Sequence, residues 1–259
     1  MLRTSLKDVQ GALQELSIPQ NRIIMLHSSL FKFGLLEGGS KGVYECIRNE
    51  LGPDATIVMP AFTFSYGATR VWHAQKTVGE VGALPEYFRS QIATTRSIHP
   101  FHSVTAIGPL SQEVTTGLCP SSFGPGSVFQ KLRDMDALNL SVGTEFIGGA
   151  TFLHVCEEEL DVPYRYLKAF PGEIKDMDGN VVDMTFQLHC RKLFDTYAYD
   201  NKWDGCWDDL NALNLFKVTH LNGAMFTLSD IKKTLTAFKG FLKADPYYCA
   251  RTVPIDQAF

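Results

Sequence analysis

The sequence predicts an α/β protein with a mixed, largely parallel central sheet flanked by helices and an antiparallel addition in the C-terminal third. Three observations carry that prediction. Short apolar runs bounded by turn residues recur between residues 22 and 143: RIIMLH, TIVMP, SVTAIG and ALNLSVG. Helical patterns alternate with them. From residue 164 onward the pattern changes to strand-like segments broken by turn signals.

The elements follow in order. Leu6, Val9, Leu13 and Leu16 recur at helical spacing over 5–17. Residues 22–27 read as a buried strand. Ser40 is placed to cap a helix reaching residue 51, with Val43, Ile47 and Leu51 on one face and Gly52-Pro53-Asp54 as its breaker. Residues 56–60 are a second strand, 84–91 a helix, 103–108 a strand, 126–135 a helix and 137–143 a strand. YRYLKAF, EIKDM and NVVDMTFQ are strand-like, with Asp178-Gly179 a hairpin signal between the last two. DNKWDGCWDDLNALN reads as a loop with a short helix. Ser229 is placed to cap a closing helix that stops before Asp245-Pro246. No stretch separates these parts as a linker, so residues 1–259 are expected to form a single domain.

Composition narrows the function classes. The net charge is −4, from 24 basic and 28 acidic residues, which disfavours a nucleic-acid binder. No apolar run approaches the roughly 18 residues of a membrane span, and MLRTSLKDVQGALQELS has no signal-like core. A cytoplasmic protein without membrane contact is expected. The six cysteines form no C-x-x-C pair, so reduced core thiols are expected. A homo-oligomer is compatible with these patterns but not encoded in them.

Several stretches concentrate chemistry. His27-Ser28-Ser29 ends the first strand, and ligands of open α/β sheets bind at such ends. Hydroxyls and backbone N–H groups there suit a phosphate or an oxyanion; a strand-to-turn cap accounts for them equally well. Arg96-Ser97-Ile98-His99-Pro100-Phe101-His102-Ser103 holds one cation, two imidazoles and two hydroxyls, the makings of an anion contact or of a structural loop. Gly124, Gly126 and Ser127 open a helix, which favours phosphate but is more commonly a plain cap. His154 and Glu157 stand at i and i+3 of a helical pattern, where a carboxylate can orient an imidazole as a general base; a surface ion pair is the simpler alternative. The second histidine of H-E-x-x-H is missing, which argues against zinc, and no metal is expected. Tyr164, Arg165 and Lys168 follow closely and could bind an acidic or sugar substrate, though an ordinary strand with an outward basic residue is the commoner reading.

In order and spacing, LHSSLFKFG, LGPDATIVMPAF, RSIHPFHSVTAIG, FGPGSVFQKL and VGTEF…TFLHVCEEE resemble the aminoglycoside 3-N-acetyltransferase family over about residues 20–170. The resemblance implies N-acylation of an amine by acetyl-CoA or another acyl-CoA. It implies His154 as general base oriented by Glu157, with His27 in the catalytic set. It puts Ser28 and Ser29 near the thioester, and Arg96, Ser97, His99 and Ser103 along the CoA side, with Gly126 and Ser127 as further CoA contacts. Arg165 and Lys168, with Tyr164, would repel a polycation and suit a phosphate. The expected acceptor is therefore a nucleotide-linked amino sugar used for surface polysaccharide. The alternatives are an aminoglycoside acceptor, a thioester or ester hydrolase, and a non-catalytic CoA-binding relative. No G-x-S-x-G elbow supports the hydrolase.

Overall fold

The computed structural model describes residues 2–257. Its centre is a seven-stranded mixed sheet. In chain order the strands are β1 (Ile23–Ser28), β2 (Thr56–Pro60), β3 (Thr95–Arg96), β4 (Val104–Ile107) and β5 (Leu138–Val142). Two outer strands, β6 (Arg165–Phe170) and β7 (Phe186–Arg191), form a separate antiparallel pair. Strand β8 (Tyr197–Asn201) pairs with β11 (Ala250–Pro254), while β9 (Phe216–Leu221) and β10 (Ala224–Asp230) complete the main sheet. The order across that sheet is β9-β10-β5-β1-β2-β4-β3.

The α/β class and the antiparallel C-terminal addition agree with expectation, but the sheet is not largely parallel. Only β5-β1 and β1-β2 are parallel; the other four pairings are antiparallel. The reason lies in the connections. A helix crosses over between β1 and β2, whereas a short loop turns β3 back into β4. Asn222-Gly223, both at positive φ, turn β9 into β10.

The helices used below are α1 (Leu6–Glu15), α2 (Gly39–Leu51), α3 (Ala83–Gln91), α4 (Val128–Asp134), α5 (His154–Glu159) and α6 (Ile231–Ala244). Two cap expectations move by a residue or two. Gly38, at φ +65°, begins α2 in place of Ser40, and the Asp230 carboxylate, not Ser229, caps α6 by accepting from Lys233 N–H. Asp178-Gly179 is a turn, but residues beyond it only bridge back at Val181. Strand Phe186–Arg191 pairs instead with β6, where it buries Phe186 against Phe170 and Phe101.

Strand alternation then decides which side chains meet. Along β1, Ile24 and Leu26 face the α1–α2–α3 layer, packing with Val9, Val43, Ile47 and Phe88. Ile23 and Met25 face the opposite layer, with Phe129 of α4, Val155 of α5 and Phe238 of α6. His27 continues that second row, so the pleat delivers it to the side that carries α5.

Candidate active site

Helix α5 is short, and its position is set by tertiary packing. Val155 and Cys156 sink into the core, and the Cys156 thiol donates to the Leu235 carbonyl of α6 at 3.3 Å. Burial pushes that thiol up to about 12, so it is no nucleophile. This seating puts Glu157 wholly inside while His154 stays 22% exposed. The two side chains sit one turn apart and bond through Nδ1 and Oε2.

Glu157 is held from three sides. Besides His154, Tyr164 Oη donates to its Oε1 at 2.6 Å, and Arg165 Nε lies 3.1 Å from Oε2. Burial alone would raise the carboxyl pKa. The charges of His154 and Arg165, with the hydrogen bonds from His154 and Tyr164, outweigh it and lower it to about 2. Glu157 is therefore an ionised acceptor at neutral pH. It fixes His154 with its proton on Nδ1 and supports the imidazolium that forms when Nε2 takes a second one. Phe123 and Trp203 hold the ring, with centroids 5.1 and 5.9 Å away.

His154 stands where two clefts meet. One, of about 290 Å³, is lined by His27, Ser28, Pro60, Phe62, Phe64, Val81, His102, Gly148, Thr151 and His154. The other, of about 360 Å³, is lined by Phe64, His102, Phe123, His154, Arg165 and residues 188–191 and 193 of the outer strand pair. Gly149 is obligatory beside the first: a Cβ there would come 2.1 Å from Ser141 Oγ and 3.6 Å from His27 Cβ.

His27 and Ser28 thus share a cleft with His154. His27 Nε2 and Ser28 Oγ are buried without hydrogen-bond partners among the described residues. Burial lowers the His27 pKa to about 4, so it is a neutral imidazole and a poor proton acceptor. Ser29 is elsewhere; its N–H bonds to the Val142 carbonyl at 3.0 Å.

The Arg96–Ser103 stretch is mostly occupied with structure. Arg96 stacks on Trp72 and donates to the carbonyls of Ala61 and Ala74 at 2.9 Å and of Thr77 at 2.5 Å, and to Ser103 Oγ at 3.1 Å. Ser97 Oγ accepts from Val104 N–H, and Ser103 Oγ donates to the Ala61 carbonyl. His99 is buried behind His102. None of these four lines the clefts beside His154. Gly126 and Ser127 also lie outside them, and Ser127 caps α4 by accepting from Gln130 N–H. Tyr164 and Arg165 are supports of Glu157 rather than free groups. The Arg165 guanidinium further donates to the His189 carbonyl and to Asn201 Oδ1. Lys168 is exposed and leans on Phe170, with Nζ 5.4 Å from its ring centroid. The expected phosphate contact of Arg165 and Lys168 is therefore corrected: one cation is neutralised by Glu157 and the other lies outside both clefts.

The sequence reading missed the cleft walls Phe62, Phe64, Val81 and Thr151, and His189 and Arg191 opposite. It also did not carry His102 beyond its motif. Residues 188–191 reach the site only because Arg191 pairs in register with Arg165 across the outer strands, a long-range fact with no local signal.

An imidazole backed by a buried carboxylate thus stands at the meeting of two clefts on an α/β sheet, an arrangement suited to moving a proton. Residues 25–239 match the family model for aminoglycoside 3-N-acetyltransferase, and the chain belongs to that family. Among its relatives, aminoglycoside N(3)-acetyltransferase III of Salmonella sp is 24% identical over 226 residues, covering 80% of this chain and 79% of that protein. Aminoglycoside N(3)-acetyltransferase IV of Salmonella sp is 27% identical over 155 residues, covering 60% and 59%. The fold is shared with the crystal structure of aminoglycoside acetyltransferase AAC(3)-Xa, at TM-score 0.79 and 17% identity over 93% of each chain. It is shared too with AAC-IIIb in its binary form with CoASH, at TM-score 0.78 and 19% identity over 93% of this chain and 97% of that one. No helix among the described residues is long and apolar enough to cross a membrane.

Proposed function

We propose that this protein transfers an acetyl or similar short acyl group from acyl-CoA to an amine of an aminoglycoside-type amino sugar, by direct attack with His154 as general base. The observation that carries the reading is the place of His154: Nδ1 tied to ionised Glu157, and the ring lining both clefts. The cleft with apolar walls at Pro60, Phe62 and Val81, and with the unpartnered His27 Nε2 and Ser28 Oγ, suits the thioester and pantetheine arm. The other cleft takes the acceptor. An alkylammonium must lose a proton before it can attack. His154 Nε2 accepts it, Glu157 stabilises the imidazolium, and the departing CoA thiolate recovers the proton. One such base contributes a factor of about 10²–10⁴, with much of the remainder from holding two substrates together.

A second reading has one observation in its favour. The acceptor-side lining carries Arg165, His189 and Arg191 and no carboxylate among the described residues, an odd surface for a polycation. An amino sugar bearing a phosphate, such as a nucleotide-linked one destined for surface polysaccharide, would avoid that conflict. Arg165 is paired with Glu157 and Arg191 with Asp200, which weakens the attraction to phosphate. Both readings are tested by thiol release from acetyl-CoA with aminoglycosides and, separately, with nucleotide-linked amino sugars. A no-acceptor control is needed because the chain has six cysteines. Release with aminoglycosides alone supports the first reading; release with nucleotide sugars alone replaces it with the second; release with neither rejects both.

A further inference from the structure

The second imidazole of the site, His102, has a protonation state that the geometry fixes. Four observations form a chain. The His102 backbone N–H donates to His99 Nδ1 at 3.2 Å. An atom that accepts a hydrogen bond carries no proton, so neutral His99 bears its proton on Nε2. That nitrogen lies 3.3 Å from Ser122 Oγ, and as a protonated atom it can only donate, to this hydroxyl or to the backbone of Pro120 and Gln187. The Ser122 hydroxyl lies 2.7 Å from His102 Nδ1. Ser122 is buried, and among the described hydrogen bonds His102 Nδ1 is the only acceptor open to its proton. The opposite tautomer of His102 would strand that hydroxyl proton inside the protein. His102 therefore accepts at Nδ1 and carries its proton on Nε2.

The ring is clamped for this task. Phe62 and Phe64 meet it edge-on at centroid distances of 4.8 and 5.5 Å, and Phe123 at 5.0 Å. Phe123 also touches His154 at 5.1 Å, so one phenyl ring lies between the two imidazoles. His102 lines both clefts with His154. Its surroundings keep it neutral: burial, and the imidazoles of His99 and His154, hold its pKa well below the usual histidine range.

Resting on the transferase reading above, we propose that His102 is the electrophilic partner of His154, its Nε2–H donating to the thioester carbonyl oxygen as negative charge develops there. In the step, the amine lone pair forms the C–N bond and the carbonyl π pair moves onto oxygen. His102 stabilises that oxyanion by hydrogen bond, without giving up its proton. His154 takes the amine proton. When the C=O bond reforms, the C–S bond breaks, and CoA leaves as a thiolate that receives the proton from His154. The two histidines differ in their partners: a carboxylate makes one a base, and a serine fed by a second imidazole makes the other a donor.

The test uses the full-length protein. In wild type labelled with ¹⁵N-histidine, the His102 signals, identified by their loss in His102→Gln, are expected to report protonated Nε2 and bare Nδ1, unchanged from pH 5.5 to 8. A proton on Nδ1, or titration in that range, overturns the proposal. In kinetics, His102→Phe keeps the aromatic packing but has no donor. Removing one oxyanion donor predicts a kcat loss of about 10²–10³, with KM for acyl-CoA within a few-fold and a lowered unfolding temperature, because the buried Ser122 hydroxyl loses its acceptor. His102→Gln, which restores an N–H, is expected to recover part of the rate. Ser122→Ala, which frees the tautomer, is expected to fall between. An active wild type with an equally active His102→Phe overturns this role alone. A wild type that releases no CoA with any amine overturns the transferase reading and this role with it.

Discussion

Two buried histidine clusters lie on either side of Phe123, and they are built on opposite electrostatic plans. In the first, His154 donates from Nδ1 to Glu157, and Arg165 and Tyr164 keep the carboxylate ionised and still. In the second, His99, Ser122 and His102 form a string of neutral groups with no carboxylate attached. His102 is the more deeply buried of the two rings, but burial alone does not say which is base and which is donor. The partner does: an anion beside an imidazole stabilises its charged form, while a hydroxyl in a dry pocket leaves it neutral.

The largest effect that sharpens this contrast is acid unfolding. His27 and His189, each at about 4, His99 at about 3, and His102 well below the ordinary value of 6.5 are all held neutral mainly by burial. Below pH 6.5 the unfolded chain binds protons that the folded chain refuses. Stability should therefore fall as pH drops from 6.5 toward 4. Glu157 works in a lower window: its folded pKa of about 2 lies under the ordinary 4.5, so its contribution is complete above 4.5 and is lost only as pH falls through 2. Urea unfolding from pH 7 to 3 should show an early loss assigned to these four buried histidines. A flat profile between 7 and 4.5 would contradict the neutral assignment.

Next in size is Glu157→Gln, which leaves the Arg165 charge buried without its counter-ion. Breaking a buried pair from one side typically costs about 3–5 kcal/mol, and kcat should fall as His154 loses its anchor. Denaturant unfolding beside steady-state kinetics checks both. If stability drops while kcat holds, Glu157 is scaffolding only.

Arg96→Leu tests a motif that looked functional and is built as structure. It unpairs the carbonyls of Ala74 and Thr77, while that of Ala61 keeps Ser103 Oγ, and should cost roughly 1–3 kcal/mol for each one left dry. The folded fraction should keep its affinity for acyl-CoA. A selective loss of CoA binding without loss of stability would return Arg96 to the ligand. The smallest effect is Ser127→Ala, about 1 kcal/mol for a lost cap with unchanged KM for acyl-CoA.

Local features of the site were legible where local geometry sufficed. The His154–Glu157 pair follows from i, i+3 spacing on a helix, and the placement of His27 from the alternation of one strand. At Arg96–Ser103 much of the polar density is spent on backbone carbonyls. A loop that crosses a core must satisfy many carbonyls, and it does so with the same side chains that would grip an anion. Arg165 was misplaced for a related reason: a cation eight residues from an acid in sequence gives no sign that both are buried together. The parallel content of the sheet was overestimated because alternating strands and helices read as crossovers, while the short return from β3 to β4 left no distinct mark. His189 and Arg191 were out of reach, since only the register between β6 and β7 brings them to the cleft.

The most direct measurement is amine-dependent CoA release at saturating acetyl-CoA by wild type and His154→Ala, with acetyl-CoA affinity measured by calorimetry on both. The variant is expected to bind acetyl-CoA within a few-fold of wild type and to turn over about 10²–10⁴ more slowly. A His154→Ala enzyme that acetylates its amine at close to the wild-type rate would contradict the general-base role of His154.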